Sequence, residues 1–142
     1  MDTQTSKRMN PSFPIVMALV LVTTVLASAA SAKVVRNTID PTARISDGGR
    51  QVTVTGPVAC DMGQRYEFRV TVTQRTTGAV AEGRASLTCA GGDQQWEARV
   101  TAQGAKTFEP GPATAVAVAT TSDPGNTDDA HQWLVNITLE GR

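Results

Sequence analysis

Apolar and polar residues alternate along most of the chain beyond residue 50, and this period of two constrains the fold more than any other feature. The clearest run places Tyr66, Phe68, Val70 and Val72 on one side, with charged or hydroxyl side chains between them. Successive side chains of a β-strand point to opposite faces of a sheet, so this alternation is typical of a strand with one buried face. The sequence therefore predicts an all-β domain.

Further strands are predicted on both sides of that run. They are centred on 51–60, 85–89, 96–101, 113–121 and 132–139, with a weaker one at 42–46. Turn signals rich in Gly, Pro and Asp separate them, as in antiparallel sandwiches. Pro57 lacks an N–H group, so its strand is either an edge strand or broken by a bulge at Gly56-Pro57. We therefore expect one Ig-like antiparallel β-sandwich of about seven strands over residues 33–142.

Cys60 and Cys89 are the two cysteines of the chain. Both fall on the apolar side of their predicted strands, so they can meet inside a sandwich. An even count of two allows one intramolecular disulfide. A metal or redox role is the alternative, but the spacing is not Cys-x-x-Cys and the chain has one histidine.

The first 32 residues have the organisation of a secretory signal peptide. Lys7 and Arg8 precede an apolar stretch, Ile15 to Ala27, and Ala30-Ser31-Ala32 supplies the small residues of a cleavage site. An uncleaved membrane anchor is the alternative interpretation of this stretch. We expect cleavage before Lys33, a secreted or extracytoplasmic domain over 33–142, and no stable membrane anchor after cleavage.

The mature region resembles a family of small secreted Ig-like domains of unknown function that is common in actinobacteria. The resemblance spans about 51–139 and rests on Val58-x-Cys60, Tyr66-x-Phe68-x-Val70-x-Val72-x-Gln74, Ala81-x-Gly83, Cys89-x-Gly91-x-x-Gln94-x-Trp96 and Phe108-x-Pro110-Gly111-x-Ala113. It implies a bacterial exported domain with one disulfide. It implies no activity and no catalytic residues.

The charge balance argues against nucleic acid as a partner. Thirteen Lys and Arg residues balance thirteen Asp and Glu residues, so the formal net charge is zero. A nucleic-acid-binding domain normally carries a basic patch. The aromatic residues mostly follow the apolar side of their strands, which favours core packing over stacking on a ligand. Phe108 lies beside a Pro-Gly turn, and we expect its ring to cover one end of the sandwich.

The segment before the last predicted strand contains the strongest candidates for a ligand site. Asp123, Asp128 and Asp129 offer oxygen ligands for Ca²⁺, and His131, the only histidine, follows them. The spacing is not that of an EF-hand loop, and Asp, Asn, Gly and Pro are also ordinary turn residues. No nucleophile-elbow pattern accompanies His131, so we expect neither catalytic residues nor a cofactor.

These observations predict a non-enzymatic exported domain that presents sheet edges or loops to a protein partner in the cell envelope or outside the cell. The alternative is a small-ligand or calcium-binding protein that uses the 123–131 loop.

Overall fold

The computed structural model describes residues 36–122 and 129–141, most of which lie in β-strands. The strands are β1 Arg36–Asn37, β2 Thr42–Ser46, β3 Gln51–Ala59, β4 Arg65–Gln74, β5 Ala79–Thr88, β6 Asp93–Ala102, β7 Gly111–Ser122 and β8 Asp129–Glu140. None of the described residues belongs to a helix long and apolar enough to cross a membrane. The predicted all-β class is confirmed, while the predicted signal peptide, 1–32, lies outside the described residues.

The strands form two extended sheets that are joined at both edges. In one sheet β3 pairs with β6 along its whole length, and β1 and β2 lie on the other side of β3. The other sheet has the order β5-β4-β7-β8 and is antiparallel throughout. The pairings form a closed ring of the seven strands β2 to β8. The structure is therefore a closed seven-stranded barrel, and it differs in this respect from the predicted sandwich of separate sheets.

Two short pairings close the ring, and both lie at the same end of the molecule. β5 and β6 share only Ala81↔Ala102 and Glu82↔Thr101. Gly83 comes directly after the paired residues of β5, and a Cβ atom at this position would collide with the carbonyl oxygen of Arg99 on β6. At the other edge, the first three residues of β2 pair in parallel with 138–140 of β8. Within the barrel, β1, β2, β3 and β6 lie on one side of the interior, and β4, β5, β7 and β8 lie on the other.

The predicted alternation is confirmed in the core. Every second residue of β3, of β4 and of β6 from Trp96 onward is buried, and β7 contributes Ala113, Ala115, Ala117 and Ala119. Phe68 on β4 stacks on Trp96 on β6 with their ring centroids 4.8 Å apart. Because β4 and β6 belong to different sheets, this contact joins the two layers across the interior. Phe108 is 3% exposed and packs at one end, as expected.

Gly56 and Pro57 lie in a continuous strand. The register between β3 and β6 runs from Gln51 to Ala59 without an extra residue, so of the two predicted alternatives, an edge strand or a bulge, the bulge is absent. On its other side β3 pairs with β1 only at 58–59 and with β2 only at 51–53. Pro57 therefore lies on a local edge, where no ladder hydrogen bond requires its missing N–H.

Gln74, at the end of β4, is a buried polar residue that fixes a neighbouring loop. Its side chain is 1% exposed. The Nε2 amide donates to the carbonyl of Glu109 at 2.8 Å, and the Oε1 atom accepts from the Glu109 N–H at 2.9 Å and from the Thr77 hydroxyl at 3.0 Å. A buried amide is stable only with such partners. Gln74 thus ties the 103–110 loop to the β4–β5 turn.

Candidate interaction surface

The predicted disulfide is present. Cys60 follows β3 and Cys89 follows β5, and their Cα atoms are 5.9 Å apart. Both residues are buried. Because β3 and β5 belong to different sheets, the bond joins the two layers at the end of the barrel opposite to the two closing pairings. It is a structural crosslink between the sheets.

The candidate calcium ligands are only partly described. Asp123 and Asp128 lie outside the described residues, and Asp129 begins β8. His131 is half-buried on the inward side of β8, and its ring stacks on Trp133 with the centroids 5.7 Å apart. Within 36–122 and 129–141, no group of three or more His, Cys, Asp or Glu residues could hold a metal ion. The calcium site stays a prediction.

One long edge of β8 has no strand beside it among the described residues. β8 pairs with β7 from Asp129 to Leu139, but β2 reaches its other edge only at 138–140. The N–H of Thr138 donates to the carbonyl of Pro41 at 2.8 Å, which shows that the backbone groups of Thr138 point away from β7. In an antiparallel pair every second residue points the same way. The N–H and C=O groups of Ala130, Gln132, Leu134 and Asn136 therefore face this open edge.

The open edge of β8 carries no Asp, Glu, Lys or Arg side chain from Ala130 to Leu139. Beyond their short pairing, β5 and β6 each have an edge without a partner strand among the described residues. These edges differ from the β8 edge because they carry charge: β5 presents Arg84, and β6 presents Glu97 and Arg99. Charged side chains on an edge strand oppose pairing with another chain, and an uncharged edge permits it. β8 is thus better suited than β5 or β6 to accept an additional strand.

An apolar strip lies beside this edge on the outer face of the sheet. Leu134 is 66% exposed and stands opposite Val116 on β7, while Val118 is opposite Gln132. Both valines are only half-buried. Side chains on the outer face of a sheet are normally polar, so an exposed Leu with two Val neighbours is unusual at this position. We call Val116, Val118 and Leu134 the outer strip.

A shallow groove of about 530 Å³ lies next to the outer strip, on the β5-β4-β7 part of the same face. Charged side chains of both signs line it, including Glu67, Arg69 and Arg84. Arg69 is held by Glu82, with Nε 2.8 Å from Oε1. On such a solvated face, ion pairs contribute well under ~1 kcal/mol each to stability.

The alternation along residues 132–139 places Leu134 on the polar side of the last strand, with Gln132 and Asn136. Two features of the sequence point to it: a Leu at an outward position, and ten consecutive residues, 130–139, without Asp, Glu, Lys or Arg. The unpaired state of the β8 edge could not be predicted, because strand order does not follow from alternation. The structure supplies that observation.

Comparisons with known proteins give little further information. No family model matches the chain, and no curated protein matches it. Among solved structures, the chain is similar to the crystal structure of the periplasmic chaperone SfaE, with a TM-score of 0.36 and 10% sequence identity. The similarity covers 75% of this chain and 56% of that chain, so this chain spans just over half the length of the chaperone.

Proposed function

We propose that this protein is a non-enzymatic, extracytoplasmic interaction domain that binds an extended protein segment along the open edge of β8. The observation that carries the proposal is a row of four residues whose edge has no partner strand within the described part of the chain: Ala130, Gln132, Leu134 and Asn136. They lie in a stretch, 130–139, that has no Asp, Glu, Lys or Arg. Their backbone groups can bond to an added strand in the way that β-strand addition requires. The outer strip supplies an apolar contact for alternate side chains of that segment.

Two further features support an exported location. The sequence begins with the pattern of a signal peptide. The Cys60–Cys89 bond joins the two sheets, and disulfides persist mainly in oxidising compartments outside the cytosol. The resemblance to small secreted bacterial domains agrees with both features.

Site-specific photo-crosslinking in the cells that export the full chain tests this proposal. A photoreactive side chain at Asn136, exposed beside the open edge, should give discrete protein adducts. The same side chain at Arg99, exposed on β6 in the other sheet, should not. The adducts at position 136 should disappear when Leu134→Pro is added, because proline removes an N–H from the edge, and should persist with Leu134→Thr.

Equal crosslinking at positions 136 and 99 would contradict the proposal. Adducts that survive Leu134→Pro would also contradict it, because they would show binding that does not use the backbone of the β8 edge.

A further inference from the structure

We infer that the segment pairing with the open edge of β8 is β8 of a second copy of this chain; this inference rests on the proposed function and names the partner at that same edge. The two strands would run antiparallel about a twofold axis at Trp133. The structural basis is the spacing of the edge residues, the absence of charge and the position of the outer strip.

The spacing of the edge residues is symmetric about Trp133. With the axis at Trp133, Ala130 stands opposite Asn136 of the second copy and Gln132 opposite Leu134. These are the residues whose N–H and C=O groups face the open edge. Each such pair exchanges two backbone hydrogen bonds. This register therefore satisfies all the open-edge groups of these residues in both copies, with none left over.

The open edge of β8 imposes no charge repulsion on self-pairing. Two antiparallel copies of one strand bring like charges together where a charged residue lies on or beside the twofold axis. Positions 130–136 contain no Asp, Glu, Lys or Arg. The β5 edge carries Arg84 and the β6 edge carries Glu97 and Arg99, so on those edges the effect of charge depends on the register of the two copies.

Self-pairing would also cover the apolar groups that border the edge. Leu134 and its copy become diagonal neighbours on the outer face, which joins the two outer strips into one. On the inner side, the half-buried Trp133 stands opposite its copy at the axis. The β5-β4-β7-β8 sheets of the two copies would form a single sheet of eight strands. The interface thus combines backbone hydrogen bonds with burial of Leu134, which is 66% exposed in the single chain.

Light scattering coupled to size exclusion, on the exported protein over a ~100-fold range of concentration, tests this inference. The wild type should change from monomer to dimer, with a dissociation constant that is nearly the same at low and high salt because no charged pair contributes. Leu134→Pro removes one edge N–H from each copy and should weaken the dimer by about 30-fold. Leu134→Thr keeps the N–H, and the dimer should weaken much less.

Gln132→Pro, which removes the neighbouring edge N–H, should repeat the result, and circular dichroism checks that each variant is folded. A wild type that stays monomeric at every concentration would overturn the inference, and so would a dimer that Leu134→Pro leaves unchanged. If the protein is monomeric while adducts to a different protein still depend on Leu134, the inference fails and the proposed function stands. If the protein is monomeric and the adducts at position 136 do not form either, both the inference and the proposed function are wrong.

Discussion

Gly56 shows how a single missing side chain permits the packing of the core. It lies on the inward side of β3, where a Cβ atom would collide with the carbonyl of Thr38 and approach the indole of Trp96. The same indole donates its Nε1–H to that carbonyl at 3.3 Å. We therefore expect Gly56→Ala to lower the free energy of unfolding by about 1–3 kcal/mol, the usual cost of overpacking.

Urea denaturation measures this loss. Gly141→Ala is the matched control, because Gly141 is exposed and its added Cβ would meet only the Pro110 side chain. A loss no larger for Gly56→Ala than for Gly141→Ala would contradict the packing described for Trp96.

The hydrogen bonds of Gln74 lead to a second prediction about a single residue. In Gln74→Leu the volume is nearly kept, but the N–H and carbonyl of Glu109 lose their partners. Leaving these partly buried polar groups unsatisfied should lower the free energy of unfolding by about 1–3 kcal/mol. Gln103→Leu, at an exposed position of the loop, should be close to neutral in the same urea titration. Equal effects of the two substitutions would show that Gln74 does not fix the loop.

At the scale of elements, the two sides of the β8 backbone should respond differently to proline. Val135 points its N–H toward β7, and Leu134 points its N–H to the open edge. Val135→Pro should lower the free energy of unfolding by ~3 kcal/mol or more relative to Val135→Ala, because it breaks the hydrogen-bond ladder with β7. Leu134→Pro should lower it much less relative to Leu134→Ala. Equal losses in guanidinium denaturation would mean that both sides of β8 are paired.

The elements also show what the sequence could and could not predict. Alternation located β3, β4 and β6 because the buried face of a strand must be apolar, and it located even the weak strand β2. It could not reveal the closed barrel, because the closing pairs, such as Ala81↔Ala102, join backbone groups regardless of side chain. Leu134 and the charge-free stretch 130–139 are visible in the sequence. The open edge beside them is visible only once the strand order is known.

At the scale of the whole molecule, the Cys60–Cys89 bond and the two short closing pairings hold opposite ends of the barrel. The double substitution Cys60→Ser and Cys89→Ser should lower stability by roughly 3–4 kcal/mol, as expected for a loop with a sequence separation of 29. Calorimetry should show the same lowered melting temperature for the reduced wild type. An unchanged melting temperature in both would contradict the role of the bond as a crosslink between the sheets.

Amide hydrogen exchange along β8 tests the central claim most directly, because it reports each N–H separately. In dilute protein the amides of Gln132, Leu134 and Asn136 should exchange rapidly, and those of His131, Trp133 and Val135 slowly, because only the latter face β7. At high protein concentration the fast set should become protected. Uniform protection of all six amides in dilute protein would show that the edge is already occupied, and would contradict the account.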